Sequence, residues 1–143
     1  MNEMREFQKS FTEDQKAAII ACLLIIASCD SPANQKEMNS IQTSAKTLGM
    51  ELNQNPTFLF MLELAKEGNT VAINDKVIRL LNTLERNQKE WFILAMHTLM
   101  HVDGNVVQQE VLLCLNTAQK IGISPDEYKN ILDKMDKLYD AFF

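Results

Sequence analysis

The sequence predicts an all-α protein, about seven helices in a single bundle-like domain over residues 1–143, with an internal duplication. Three observations lead there. Of 143 residues, 46% are hydrophobic and 23% charged, with only four glycines and three prolines. That is few turn-formers for a sheet-rich domain, and the dominant Leu, Ile, Met, Ala, Lys, Gln and Glu are mostly good helix formers. Apolar residues recur at spacings of three and four, and no strand-like alternation occurs. Finally, two segments of the chain align on each other without a gap at an offset of 73 residues.

The elements follow from their ends. Thr12 with Gln15 forms a capping box that opens a first helix ending near Cys29. Ser31 and Pro32 are expected to start a second helix, striped by Met38, Ile41, Ala45 and Leu48 and closed by Gly49. Asn55, Pro56 and Gly68 bound a third. A fourth carries Ile73, Val77, Leu80, Leu81 and Leu84. Asn87 and Glu90 are expected to cap the fifth, which contains Trp91 and Phe92 as core residues. The sixth runs from about Val106 to Ile121 and stops at Gly122. Ser124, Pro125 and Glu127 open the seventh, whose stripe is Tyr128, Ile131, Leu132, Met135, Leu138, Tyr139 and Phe142. The short connections predict antiparallel neighbours.

The repeats cover about residues 17–51 and 90–124. Ile20 matches Ile93, Asp30 matches Asp103, Gln35 matches Gln108, Glu37 matches Glu110, Ala45 matches Ala118 and Gly49 matches Gly122. This register decides how "AAIIACLLIIASCD" (residues 17–30) is read. Alone, it resembles the apolar core of a lipoprotein signal with Cys29 at the cleavage box. Its counterpart, "WFILAMHTLMHVD", lies in mid-chain, so a buried core helix is the better reading. Residues 1–16 mix acidic and basic side chains, unlike a secretory leader. The run is also too short to span a bilayer. A cytoplasmic location is expected, without membrane insertion.

The formal net charge of −5 disfavours nucleic-acid binding, which needs a basic face, and a polybasic membrane-surface role. Cys22, Cys29 and Cys114 are odd in number and set in apolar runs, which suits reduced, buried thiols.

One constellation recurs in both repeats. "DSPANQKE" (residues 30–37) and "DGNVVQQE" (residues 103–110) each place an Asp at one helix end and a Glu early in the next helix. Helical side chains lean towards the N-terminus, so Glu37 should lean towards Asp30 and Glu110 towards Asp103. Two such corners could gather four carboxylates, a donor set suited to calcium or magnesium. The alternative is ordinary capping and dipole compensation. His97 and His101, four apart, have metal-ligand spacing. They are not duplicated, and "HTLMH" lacks a zincin glutamate, so they read first as a polar stripe. No phosphate loop or nucleophile elbow is present in the sequence.

"AMHTLMHVDGNVVQQEVLLCLNTAQKIGIS" (residues 95–124) resembles the TerB-like family of tellurite-resistance proteins, related to the N-terminal domain of the membrane-anchored co-chaperone DjlA. The features are an apolar helix, Asp103-Gly104, Glu110 and the "IGIS" stop; Asp30, Glu37 and "LGM" resemble the family's other half. The resemblance implies a duplicated helical fold, an acidic metal site and a place in stress-response complexes, some membrane-associated. It assigns the acidic positions to Asp103 and Glu110, with Asp30 and Glu37 as partners. The first copy departs at Ser31-Pro32, where the Asp-Gly turn is missing, and no J-domain motif follows. The expected function is a non-enzymatic binding or scaffold module with protein partners. The alternative is a metal-dependent hydrolase using the same carboxylates.

Overall fold

The structure, a computed structural model, describes the backbone of residues 2–28, 34–102, 104 and 108–142, and side chains within residues 6–134. Among the described residues it is all-helical, without strands. The helices are α1 (Asn2–Ser10), α2 (Glu13–Ala27), α3 (Gln35–Thr47), α4 (Pro56–Lys66), α5 (Thr70–Leu81), α6 (Arg86–His101), α7 (Gln108–Lys120) and α8 (Pro125–Phe142), with a 3-10 turn at Leu52–Gln54. No described helix is long and apolar enough to cross a membrane.

Residues 17–27 form most of α2, the central helix, which touches α3, α4, α5, α6 and α7. Every residue from Gln15 to Leu23 is buried. A helix enclosed on all sides has no need of a polar face, which explains the unbroken apolar run. Around it, Phe92, Ile93 and Met96 of α6, Ile41 of α3, Leu81 of α5 and Cys114 of α7 complete one connected core.

Capping fixes most boundaries where the sequence puts them. Thr12 accepts from the Gln15 N–H at 3.0 Å, and the Gln15 side chain accepts from the Thr12 N–H at 2.9 Å. Asn55 caps α4, and Ser124 accepts from the Glu127 N–H at 3.2 Å. Helices α3 and α7 both close on a left-handed glycine, Gly49 at φ +68° and Gly122 at φ +86°. There Met50 N–H reaches the Ala45 carbonyl at 2.9 Å and Ile123 N–H the Ala118 carbonyl at 2.8 Å. These are the six-to-one bonds of a Schellman motif, each followed by a buried apolar side chain.

Two helix starts differ from expectation. Asn34, not Ser31, caps α3: it is extended, and its side chain accepts from the Glu37 N–H at 2.8 Å. Asn is as good a cap as Ser, and it stands three residues before a Glu that completes the box. Helix α6 starts two residues earlier than Asn87 as cap would place it. Glu85 takes the N-cap position, and Gln88, not Glu90, accepts from its N–H at 2.8 Å. Helix α1 was not expected. Its Phe7 packs with Phe11 and Trp91 in an aromatic cluster with centroid spacings of 5.1–6.4 Å.

Cross-links define the two ends of the molecule. Gln15, at the start of α2, donates to the Thr83 hydroxyl at 2.9 Å, just before α6. Gln88, at the start of α6, donates to the Ser10 hydroxyl at 3.0 Å, just before α2. Helices α2 and α6 therefore start at one end, the proximal pole. Helix α3 returns there, since the Gln8 amide donates to the Thr47 carbonyl. So does α7, since Lys89 Nζ donates to the Ile121 carbonyl at 2.9 Å. The finishes of α2 and α6 and the starts of α3 and α7 thus point to the opposite, distal pole.

Candidate functional site

The distal pole carries the acidic residues singled out in the sequence. Glu37 and Glu110 occupy the same place in their helices, the third position of α3 and of α7. Both are buried, at 6% and 5% exposure. That is unusual for glutamate, which is rarely fully buried without a partner. Glu37 leans back, as helical geometry requires, and its Oε1 accepts from the Asn34 N–H at 3.1 Å. Its positively polarised surroundings are the free N–H groups of the first turn of α3. Asp30 and Asp103 lie outside the described residues, as do Cys29, Ser31 and Pro32. The structure thus brings the two glutamates to the same pole, each within its own corner. Among the described residues there is no group of three or more His, Cys, Asp or Glu side chains able to hold a metal ion. Two of the four expected ligands fall outside that set.

His97 and His101 sit on α6 just before its distal end, His97 half-buried and His101 exposed. Their ring centroids are 4.3 Å apart, and His101 Nδ1 lies 2.9 Å from the His97 carbonyl oxygen. Glu90, seven residues before His97 on the same helix, is engaged elsewhere. It pairs with Arg86 and with Lys134, each at 3.6 Å. Arg86 also bonds Glu127 at 2.5 Å, and this network lines a surface cleft between α6 and α8 of about 400 Å³. The Arg86 hydrogen bond holds the Glu127 carboxyl below the usual carboxylate range, with the charge of Arg86 and the Ser124 contacts adding to it. These side chains are largely solvated, so their role is to tie α8 to α6 weakly.

The cysteines behave as core. Cys22 and Cys114 are reduced thiols, and both are buried. Burial, then the neighbouring Cys114, pushes the Cys22 thiol up to about 12, against a hydrogen bond with Thr117 that acts the other way. A thiol held protonated is a poor nucleophile at neutral pH.

The signals that sequence reasoning missed are legible afterwards. Asn34-x-x-Glu37 is itself a capping-box pattern. The cross-link glutamines obey the 73-residue offset: Gln15 relates to Gln88, and their partners Ser10 and Thr83 are related in the same way.

No known protein family, curated protein or solved structure was found that matches the chain.

Proposed function

We propose that this protein is a non-enzymatic helical binding module of TerB-like organisation. Its distal pole would take a hard divalent cation, calcium or magnesium, at Asp30, Glu37, Asp103 and Glu110, and present it to a protein partner in a stress response. The observation that carries the reading is the recurrence of a buried glutamate at the third position of both α3 and α7, in hairpins that point to the same pole. Capping alone accounts for Glu37, but a first-turn glutamate that only caps has no need of burial. A carboxylate has two oxygens, so the bond from the Asn34 N–H and coordination of a cation are compatible.

The paired contacts support the duplication that this reading needs. Helix α2 touches α3 and α7, as α6 touches α7 and α3. Gln15–Thr83 and Gln88–Ser10 are one contact seen twice, once in each direction. The same holds for the Schellman bonds of Met50 and Ile123. On this reading the repeat extends beyond the two acidic hairpins, to α1–α4 and α5–α8.

Calcium or magnesium should raise the melting temperature, because a ligand that binds only the folded chain stabilises it. Millimolar concentrations are expected to be needed, as for weak carboxylate sites. Asp103→Asn with Glu110→Gln should abolish most of that rise while circular dichroism stays helical. An equal cation response in the wild type and the double variant would reject the site.

A further inference from the structure

We propose that His97 and His101 form a binding site for a divalent transition cation that prefers imidazole, zinc or copper, on the outer face of α6. Its imidazole donors distinguish it chemically from the carboxylates proposed to bind calcium or magnesium. Oxygen donors select calcium and magnesium, whereas imidazoles select zinc, copper and nickel.

Residues four apart share one helix face, and here the two rings are adjacent, with centroids 4.3 Å apart and planes tilted by 45°. Zinc holds imidazole nitrogens at about 2.0–2.1 Å, so two ligating nitrogens lie no more than about 4 Å apart. The ring centroids are spaced close to that range, which puts both imidazoles within reach of one ion.

The orientation of His101 is a second, independent observation. Its Nδ1 lies 2.9 Å from the His97 carbonyl oxygen. A carbonyl oxygen only accepts, so Nδ1 carries the proton, and in the neutral ring the lone pair is on Nε2. An imidazole N–H anchored on a backbone carbonyl is the outer-shell contact that orients a metal-ligating histidine and fixes its tautomer. The exposure of His101 leaves water to complete the coordination in the isolated protein.

The fold itself does not call for histidines here. At the positions displaced by 73 residues, α2 carries Leu24 and Ser28. Those two line an apolar cleft of about 250 Å³ with Phe58, Met61 and Ile73. The same helix position in the bundle is therefore met by an aliphatic and a small side chain.

Copper(II) is the probe for a test. One equivalent added to the wild type should give an electron paramagnetic resonance spectrum with two coordinating imidazole nitrogens, and calorimetry with zinc should show a single matching site. His101→Asn and His97→Asn should each weaken binding by at least about tenfold, the lower end of what loss of an outer-shell partner alone costs. His97 is half-buried, so its variant is checked by circular dichroism; His101 is exposed, and its variant should melt as the wild type does without metal. A wild-type spectrum with fewer than two imidazole nitrogens would overturn the proposal. So would a His101→Asn variant that binds copper as tightly as the wild type. The calcium and magnesium response is measured on the carboxylate variants, so either site can fail while the other stands.

Discussion

Gln15 and Gln88 each use both ends of one amide. The oxygen closes a capping box, on Thr12 and on Glu85 respectively. The nitrogen reaches across the molecule, to the hydroxyl of Thr83 and of Ser10. Those hydroxyls donate to carbonyls three residues back, Thr83 to Leu80 and Ser10 to Phe7. They are therefore committed as donors and can only accept from the glutamines. Glutamate satisfies a surface capping box as well as glutamine does, but it cannot satisfy this one, because it has no N–H to give. Gln88→Glu should bury a carboxylate, at a position 2% exposed, against a hydroxyl whose proton is already given to the Phe7 carbonyl. The expected loss is about 1–3 kcal/mol at pH 7, read from urea unfolding. A neutral effect would mean that the cross-link contributes nothing to stability.

Among the elements, α3 shows how a boundary can be misplaced while the helix itself is evident. Met38, Ile41, Ala45 and Leu48 make its apolar stripe unmistakable in the sequence, and Ile41, Ala45 and Leu48 are buried. Its start is ambiguous, because Ser31-Pro32 and Asn34-x-x-Glu37 both carry the grammar of a helix N-terminus. The second pattern prevails because two reciprocal bonds, at 2.8 and 3.1 Å, satisfy donors at both ends of the box. Asn34→Ala should therefore cost about 0.5–2 kcal/mol, whereas Ser31→Ala should be nearly silent. Thermal melts of the two single variants decide between them, and a larger loss at Ser31 would restore the earlier start. Helix α1 illustrates the opposite difficulty. Its mixed charges argue against a secretory leader without marking a helix, and its significance lies in Phe7 meeting Trp91 far along the chain. Local periodicity carries no record of such a contact.

For the molecule as a whole, the helical class, the caps of α2, α4 and α8, and the core character of residues 17–27 were legible because they rest on short-range chemistry. The pairing of poles was only half legible. The 73-residue offset aligned Glu37 with Glu110, but that both hairpins point the same way depends on Gln15, Gln88, Gln8 and Lys89 bonding across the fold. The same long-range packing bears on how stability should depend on alkaline pH. Cys22 of α2 faces Cys114 and Thr117 of α7, and its thiol is raised from an ordinary 9.0 to about 12, chiefly by burial. Tyr128 of α8 is raised above its ordinary range too, again by burial first and Cys114 second. A raised acid keeps its proton in the folded state after the unfolded chain has released it, so the unfolded state binds fewer protons as pH rises. Stability should then be unaffected by Cys22 below about pH 9 and should fall between pH 9 and 12, at up to about 1.4 kcal/mol per pH unit. Cys22→Ala removes that titration. The variant loses packing, and so some stability, at every pH, but its alkaline decline should be shallower than that of the wild type. Urea midpoints from pH 8 to 11 measure both slopes, and parallel curves would show that the Cys22 thiol ionises as readily inside the bundle as outside it.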